Sequence, residues 1–267
     1  FRRAALNGLG MGHQMLFAGG GIMLVGVPFL LRAGIPETPA LIAAIAGALS
    51  FGSGTFLSLL AVHAGDASVQ TPLMGTKIPW VVLLTVFLFD QRGGLEVWIV
   101  AALVVIAVFA IGFTRSAREH VSARAVTLAL LAGLAYALLD ALLGSGRYGG
   151  LDSGFFAVTV TGSGVLVVAI GLGTLVNRPV RLTRAAWVPL LAGTLFFMVQ
   201  FTIEASVISH FQNAPQANIL YSTRGLWSVV LAWLITHGKQ TVRPPRLVFL
   251  QRMAGAIILV IAVALAL

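Results

Sequence analysis

Apolar residues run along this chain in long, nearly unbroken blocks, and polar residues collect in the short stretches between them. Blocks of about 20 residues, enough to cross about 30 Å of hydrocarbon at about 1.5 Å per residue, fall near 13–33, 39–62, 68–90, 95–114, 124–144, 154–176, 186–208, 215–236 and 246–267. The pattern predicts nine transmembrane helices, with connections too short to hold a soluble domain. Composition agrees, since 58% of the 267 residues are hydrophobic and 9% are charged, whereas soluble domains are about a quarter charged. The expected class is an all-α, multi-pass membrane protein.

A formal net charge of +9 raises the question of a nucleic-acid partner, and the placement of the cations answers it. Arg2, Arg3, Arg115, Arg118, Arg124, Arg178, Arg181, Arg184, Lys239, Arg243, Arg246 and Arg252 fall on one side of the predicted helices, against Arg32, Arg92 and Arg147 on the other. That asymmetry over short loops is the positive-inside pattern and marks the first side as cytoplasmic. Topology therefore accounts for the basic charge, and no nucleic acid is needed. The chain has no cysteine, so disulfide and thiolate chemistry are absent, which does not identify a compartment.

Two cations belong to no loop. Lys77 lies in LMGTKIPWVVLL (73–84) and Arg224 in LYSTRGLWSVVL (220–231), and a shift of 147 residues lays one stretch on the other. Leu73 meets Leu220, Thr76 meets Thr223, Lys77 meets Arg224, Trp80 meets Trp227, and His63 meets His210 upstream. A Thr-cation-x-x-Trp signature occurring twice indicates a duplication. With a slightly different offset GGGIMLVG (19–26) resembles GSGVLVVA (162–169), and the helix at 95–114 corresponds to that at 246–267. The helix at 124–144 has no counterpart, because its partner would precede residue 1. The expected unit is therefore five helices, with repeats over 1–115 and 122–267, the first helix of repeat one absent, and ten helices in the intact protein. An odd number of helices per repeat inverts the second copy relative to the first.

Sites in inverted-repeat transporters lie near the bilayer midplane between the repeats. A charge there costs about 2.5–3.5 kcal/mol on insertion scales, so Lys77 and Arg224 are expected near the centres of their helices, facing the bundle interior with a partner. Helical spacing puts Gln70, Met74 and Lys77 on one stripe and Tyr221, Arg224 and Ser228 on the equivalent one. Pro72 and Pro79 remove helix hydrogen bonds near Lys77, and the freed carbonyls could serve a ligand or simply kink the helix. Two intramembrane acids, Glu204 with Gln200 one turn earlier and Asp140 with Tyr136 one turn earlier, could answer the cations, either as structural ion pairs or as a coupling element that exchanges a cation for a proton. Trp80 and Trp227, one turn beyond the cations, are candidates for a cation–π contact or a cavity wall, or for plain packing against lipid. His63 and His210 at helix ends read as interfacial residues, and the glycine clusters GGG (19–21), GSG (52–54), GSG (162–164) and GLG (171–173) as sites of close helix approach.

The fourth helix of each unit, TPLMGTKIPWVVLLTVFLFDQ or NILYSTRGLWSVVLAWLIT, and the fifth, WIVAALVVIAVFAIGF or FLQRMAGAIILVIAVAL with Gln251 and Gly255 in a Q-x-x-x-G pattern, resemble the EamA-type members of the drug/metabolite transporter superfamily. The resemblance covers essentially the whole chain. It implies a secondary transporter that moves a small polar metabolite, zwitterionic or anionic, across a bacterial inner membrane by alternating access, without a cofactor, with coupling to a proton or another ion left open. Ten-helix relatives usually have both termini in the cytoplasm, whereas the charge pattern here, with a helix restored, places both outside. There is no H-E-x-x-H, G-x-S-x-G or nucleotide-binding motif, so an enzyme is not expected, and Asp140 with Glu204 is the one conceivable pair for intramembrane aspartyl chemistry. A membrane sensor or assembly protein that transports nothing is the other alternative.

Overall fold

The computed structural model describes residues 10–64, 74–91, 94–112, 122–175, 184–223 and 246–266. Among these residues the structure is all-helical: α1 (Met11–Ala33), α2 (Thr38–Ala64), α3 (Lys77–Phe89), α4 (Leu95–Gly112), α5 (Ala123–Gly144), α6 (Gly154–Leu175), α7 (Arg184–Phe211), α8 (Ala214–Ser222) and α9 (Arg246–Ala266). Each falls within or close to one of the nine predicted apolar blocks. Five, namely Met11–Ala33, Thr38–Ala64, Ala123–Gly144, Gly154–Leu175 and Trp187–Phe211, are long and apolar enough to cross a membrane. The chain is a multi-pass integral membrane protein.

The distribution of side-chain size supports this. Many large apolar residues lie outward, with Leu31 83% and Phe196 76% exposed, and although Phe155 and Phe156 are fully buried, much of the interior is alanine, including Ala18, Ala44, Ala129, Ala132 and Ala137. Water would drive the large side chains inward, whereas in lipid they cost nothing outside and helices associate through small residues that let backbones approach. Several interior hydroxyls are satisfied within their own helices, although those of Thr161, Thr194 and Ser209 have no hydrogen-bond partner. Thr159 donates to the Phe155 carbonyl at 2.7 Å, Ser163 to the Thr159 carbonyl at 2.7 Å, and Thr85 to the Val81 carbonyl at 2.9 Å.

Contacts group the helices into two compact units. The first comprises Phe1–Leu59 and Leu138–Asn213, the second Leu60–Ala137 and Ala214–Leu267. Each unit thus takes segments from both sequence halves, and α2 and α5 each run from one unit into the other.

In the first unit α1 packs along α6. The glycines of α1 recur every seven residues at Gly12, Gly19 and Gly26, the interval at which a helix face returns to a neighbour in a coiled coil. Across the seam a Cβ placed on Gly12 would come within 2.5 Å of Thr174 Oγ1, on Gly19 within 2.7 Å of the Gly164 carbonyl, and on Gly26 within 2.5 Å of Thr161 Oγ1. Only glycine permits that approach. Helix α7 lies on α1, where Gly21 faces Thr194 and Met198 and Phe17 meets Trp187 edge-on at 5.1 Å; Phe51 of α2 meets Phe201 of α7 at 4.3 Å with the rings tilted by 46°.

One end of this unit gathers three connections. Gly154 abuts the Gly34 carbonyl, Gly146 abuts the Gln212 side chain and Gly150 the Ser209 carbonyl. Gly146 (φ 63°) and Gly149 (φ 97°) adopt the left-handed conformations that this tight loop needs. Arg32 and Asp152 also lie at that end, 3.8 Å apart and exposed.

In the second unit α4 packs along α9. Val104, Ala107, Leu259 and Ala262 form the seam, joined by Ile78 and Val82 from α3 and Ile219 from α8. Ala61, late in α2, meets Ala129, early in α5, in a smaller cluster.

Candidate functional site

The stretch that carries Lys77 is interrupted rather than continuous. Met74 is helical, Gly75 and Thr76 form a turn, and α3 starts at Lys77. The expectation that Lys77 sits near the centre of a helix over 68–90 is therefore corrected, and Pro79 supplies the reason. An α-helix would need the N–H of residue 79 on the carbonyl of Gly75, but proline has none and its ring crowds that carbonyl. The Gly75 carbonyl instead accepts from Ile78 N–H at 3.3 Å, and Gly75 tolerates the bend. The carbonyl that Pro79 was expected to free is thereby occupied.

Thr223, which the 147-residue shift aligns with Thr76, also lies in a turn, with its N–H on the Leu220 carbonyl at 3.0 Å. Helix α8 ends at Ser222, the position aligned with Gly75. In the first stretch the helix restarts at Lys77, whereas the residues after Thr223 lie outside the described ones.

Lys77 is buried, at 9% exposure, and its ammonium faces two aromatic rings. Nζ lies 5.9 Å from the centroid of the Tyr136 ring on α5 and 5.8 Å from that of the Tyr221 ring on α8, both within the range of cation–π attraction. Backbone placement holds these rings. Gly133, one turn before Tyr136, lies beside the bend, where a Cβ would make ordinary contact 3.5 Å from Thr76 Oγ1 and 3.9 Å from Lys77 Cα. On α8, Ile219 is anchored beside Ile78, and Asn218, one turn before Tyr221, donates to the Ala214 carbonyl at 2.9 Å.

This is a costly place for a cation. The N-terminal end of a helix carries partial positive charge, which disfavours a cation by about 0.3–1 kcal/mol, in addition to about 2.5–3.5 kcal/mol for a charge in hydrocarbon. Each aromatic face offsets about 0.5–2 kcal/mol. Chemically, an ammonium beside a helix N-terminus concentrates positive potential, which suits recognition of an anionic group.

Met74 lies one turn before Lys77 and is half-buried. Trp80 is 37% exposed, and among the described residues the rings that face the Lys77 ammonium are those of Tyr136 and Tyr221. Asp140 is buried, at 3% exposure, and follows Tyr136 by one turn on α5. Glu204 is half-buried and Gln200 exposed on α7. Asp140, Glu204 and Gln200 belong to the first unit, whereas Lys77, Met74, Trp80, Tyr136 and Tyr221 belong to the second. Gln70, Arg224 and Trp227 lie outside the described residues. His63 and His210 are exposed at helix ends.

Tyr136 entered the sequence reading only as a neighbour of Asp140. A tyrosine inside an apolar run looks like interior packing, and no spacing rule connects residue 136 with residue 77.

No protein-family model matches this chain, and no curated protein matches it. Among solved structures, a chain described as "Crystal structure of protein" superposes with a TM-score of 0.67 over 96% of this chain and 87% of its own length, at 13% identity. At that identity the likeness is one of fold.

Proposed function

We propose that this chain is a secondary transporter of the EamA type, built from two inverted repeats, that moves a small zwitterionic or anionic metabolite across a bacterial inner membrane by alternating access. The observation that carries the reading is the buried Lys77 at the head of α3, directly after a helix interruption. Interrupted helices with exposed termini are a recurrent way of binding charged solutes within a membrane, and a buried intramembrane cation is retained against a cost of several kcal/mol. The duplication adds support. The helices it equates, α1 with α6 and α4 with α9, are those that pack along one another, as expected of equivalent elements that meet near a pseudo-twofold axis.

The test is flux into proteoliposomes of labelled amino acids and carboxylates, with protein-free liposomes as control. Lys77→Met should insert and fold yet lose transport, and Lys77→Arg should lose less. Normal transport by Lys77→Met would leave the lysine a packing residue and remove the basis for an anionic or zwitterionic substrate.

A further inference from the structure

We propose that the face of α7 formed by Gly193, Phe196, Gln200 and Ile203 is a docking surface for one further transmembrane helix, the one that the five-helix repeat places ahead of α1. The proposal rests on the repeat that underlies the transporter reading and adds the surface on which that helix lies. It comes from a comparison of α7 with its counterpart α2. Arg184 follows Thr38 by 146 positions at the start of the two helices, and Phe211 follows Ala64 by 147 at their end. At the first of these shifts the outward stripes agree: Ile45 and Leu191 are 48% and 51% exposed, Leu49 and Leu195 53% and 55%. The adjacent stripe differs. On α2, Gly47 and Gly54 are buried, Leu57 is half-buried and Ser50 is 8% exposed. At the corresponding places on α7, Gly193 is half-buried and Gln200 exposed, and Phe196 and Ile203 are 76% and 59% exposed.

The cover on the α2 stripe is α5. A Cβ on Gly47 would meet Leu139 at 3.3 Å and Leu142 at 3.7 Å, and Ala61, farther along the same face, clusters with Ala129. The other neighbours of α2 have equivalents around α7. Gly47 also faces Thr159 of α6, as Thr194 of α7 faces Gly21 of α1, and the contact of Phe51 with Phe201 joins α2 and α7 themselves. Among the described residues only the equivalent of α5 has no helix in its place. The side chains of this face suit a protein partner better than lipid. Gln200 carries an amide that is costly to leave unbonded in hydrocarbon, and Gly193, like Gly47, lets a second backbone approach. The arriving helix therefore sets small residues against Gly193 and a hydrogen-bonding side chain against Gln200, which makes Gln200 a helix contact instead of a substrate ligand. A second copy of the chain is a poorer occupant, because the cover on α2 is supplied by the same chain.

The experiment uses the full-length gene product in its own membrane, with a photoreactive side chain introduced one site at a time as Phe196→benzoylphenylalanine, Ile203→benzoylphenylalanine and, for control, Leu195→benzoylphenylalanine. After irradiation the adducts are identified by peptide mapping. The probes at 196 and 203 should react with a segment ahead of Phe1, and the probe at 195, on the stripe that is outward in both helices, with lipid. Adducts at 196 and 203 with lipid alone, with a second copy at doubled mass, or with a segment inside residues 1–267 would each overturn the docking surface. The reading frame ahead of Phe1 separates the two levels of the argument. If it encodes an apolar span and the adducts lie elsewhere, the docking surface fails while the repeat stands; if it encodes none, the repeat and the docking surface fail together. Solute flux in proteoliposomes tests the transporter reading independently of either.

Discussion

Gly19 and Gly164 meet backbone to backbone: a Cβ on either would come within 2.7 Å of the other's carbonyl oxygen. Gly20, the next residue in the chain, has nothing within 4 Å of the same test position. The contrast separates the effect of close approach from the effect of glycine on the helix itself. Gly19→Ala is expected to cost about 1–3 kcal/mol through overpacking, whereas Gly20→Ala should be neutral or gain up to about 1 kcal/mol from better helix propensity. Thermal unfolding of the two variants in one detergent checks this, and equal transitions would show that the α1–α6 seam is slack.

The buried side chain of Asp140 (3% exposed) is the first to test for a part in coupling. If it alternates between a cation and a proton, Asp140→Asn should abolish accumulation driven by a pH gradient but leave exchange of labelled for unlabelled solute across the membrane. Equal loss of both would make Asp140 a residue of binding or folding instead. Gradient-driven uptake and counterflow, measured on the same vesicles, read the two outcomes.

Arg32 and Asp152, by contrast, are predicted to be nearly silent. They are 3.8 Å apart with side chains 80% and 77% exposed, and exposed pairs contribute about 0–1 kcal/mol. Asp152→Asn should shift the unfolding transition by no more than a degree or two and leave transport intact. A larger shift would mean that the pair pins the loop at Gly149 and Gly150.

Orientation is open to direct chemistry because the chain has no native cysteine. Cysteines at Glu37 and Arg147 should react with an impermeant thiol reagent on intact cells, and cysteines at Arg118 and Lys239 only after lysis, following the Lys/Arg asymmetry. The reverse pattern would invert the topology.

Element type and approximate position were legible in the sequence because an apolar run of about 20 residues has few alternatives in a membrane. The pairing of α1 with α6 was also within reach, through the likeness of GGGIMLVG to GSGVLVVA. The interruption at Gly75–Thr76 was only half visible. Pro79 announced a lost hydrogen bond, but whether the helix kinks or restarts depends on which donor takes the orphaned carbonyl, and that was settled by Ile78. Trp80 was favoured over Tyr136 because helical spacing ranks neighbours along one helix and is blind to those on another. The compact units differ from the sequence halves for a related reason: likeness between segments is read along the chain, whereas packing joins whatever meets in space.

That interleaving also sets an order in time. Helix α1 leaves the ribosome well before α6 exists, and at about 5–20 residues per second the interval is on the order of ten seconds. During it the glycine face of α1 has only lipid tails or the insertion machinery to lie against, a poor fit for a groove shaped to receive another backbone. The newly made first half is thus an unfinished object that must be sheltered rather than folded, and a ribosome that stalls before Gly154 would leave in the membrane a helix with an open seam and no partner of its own to close it.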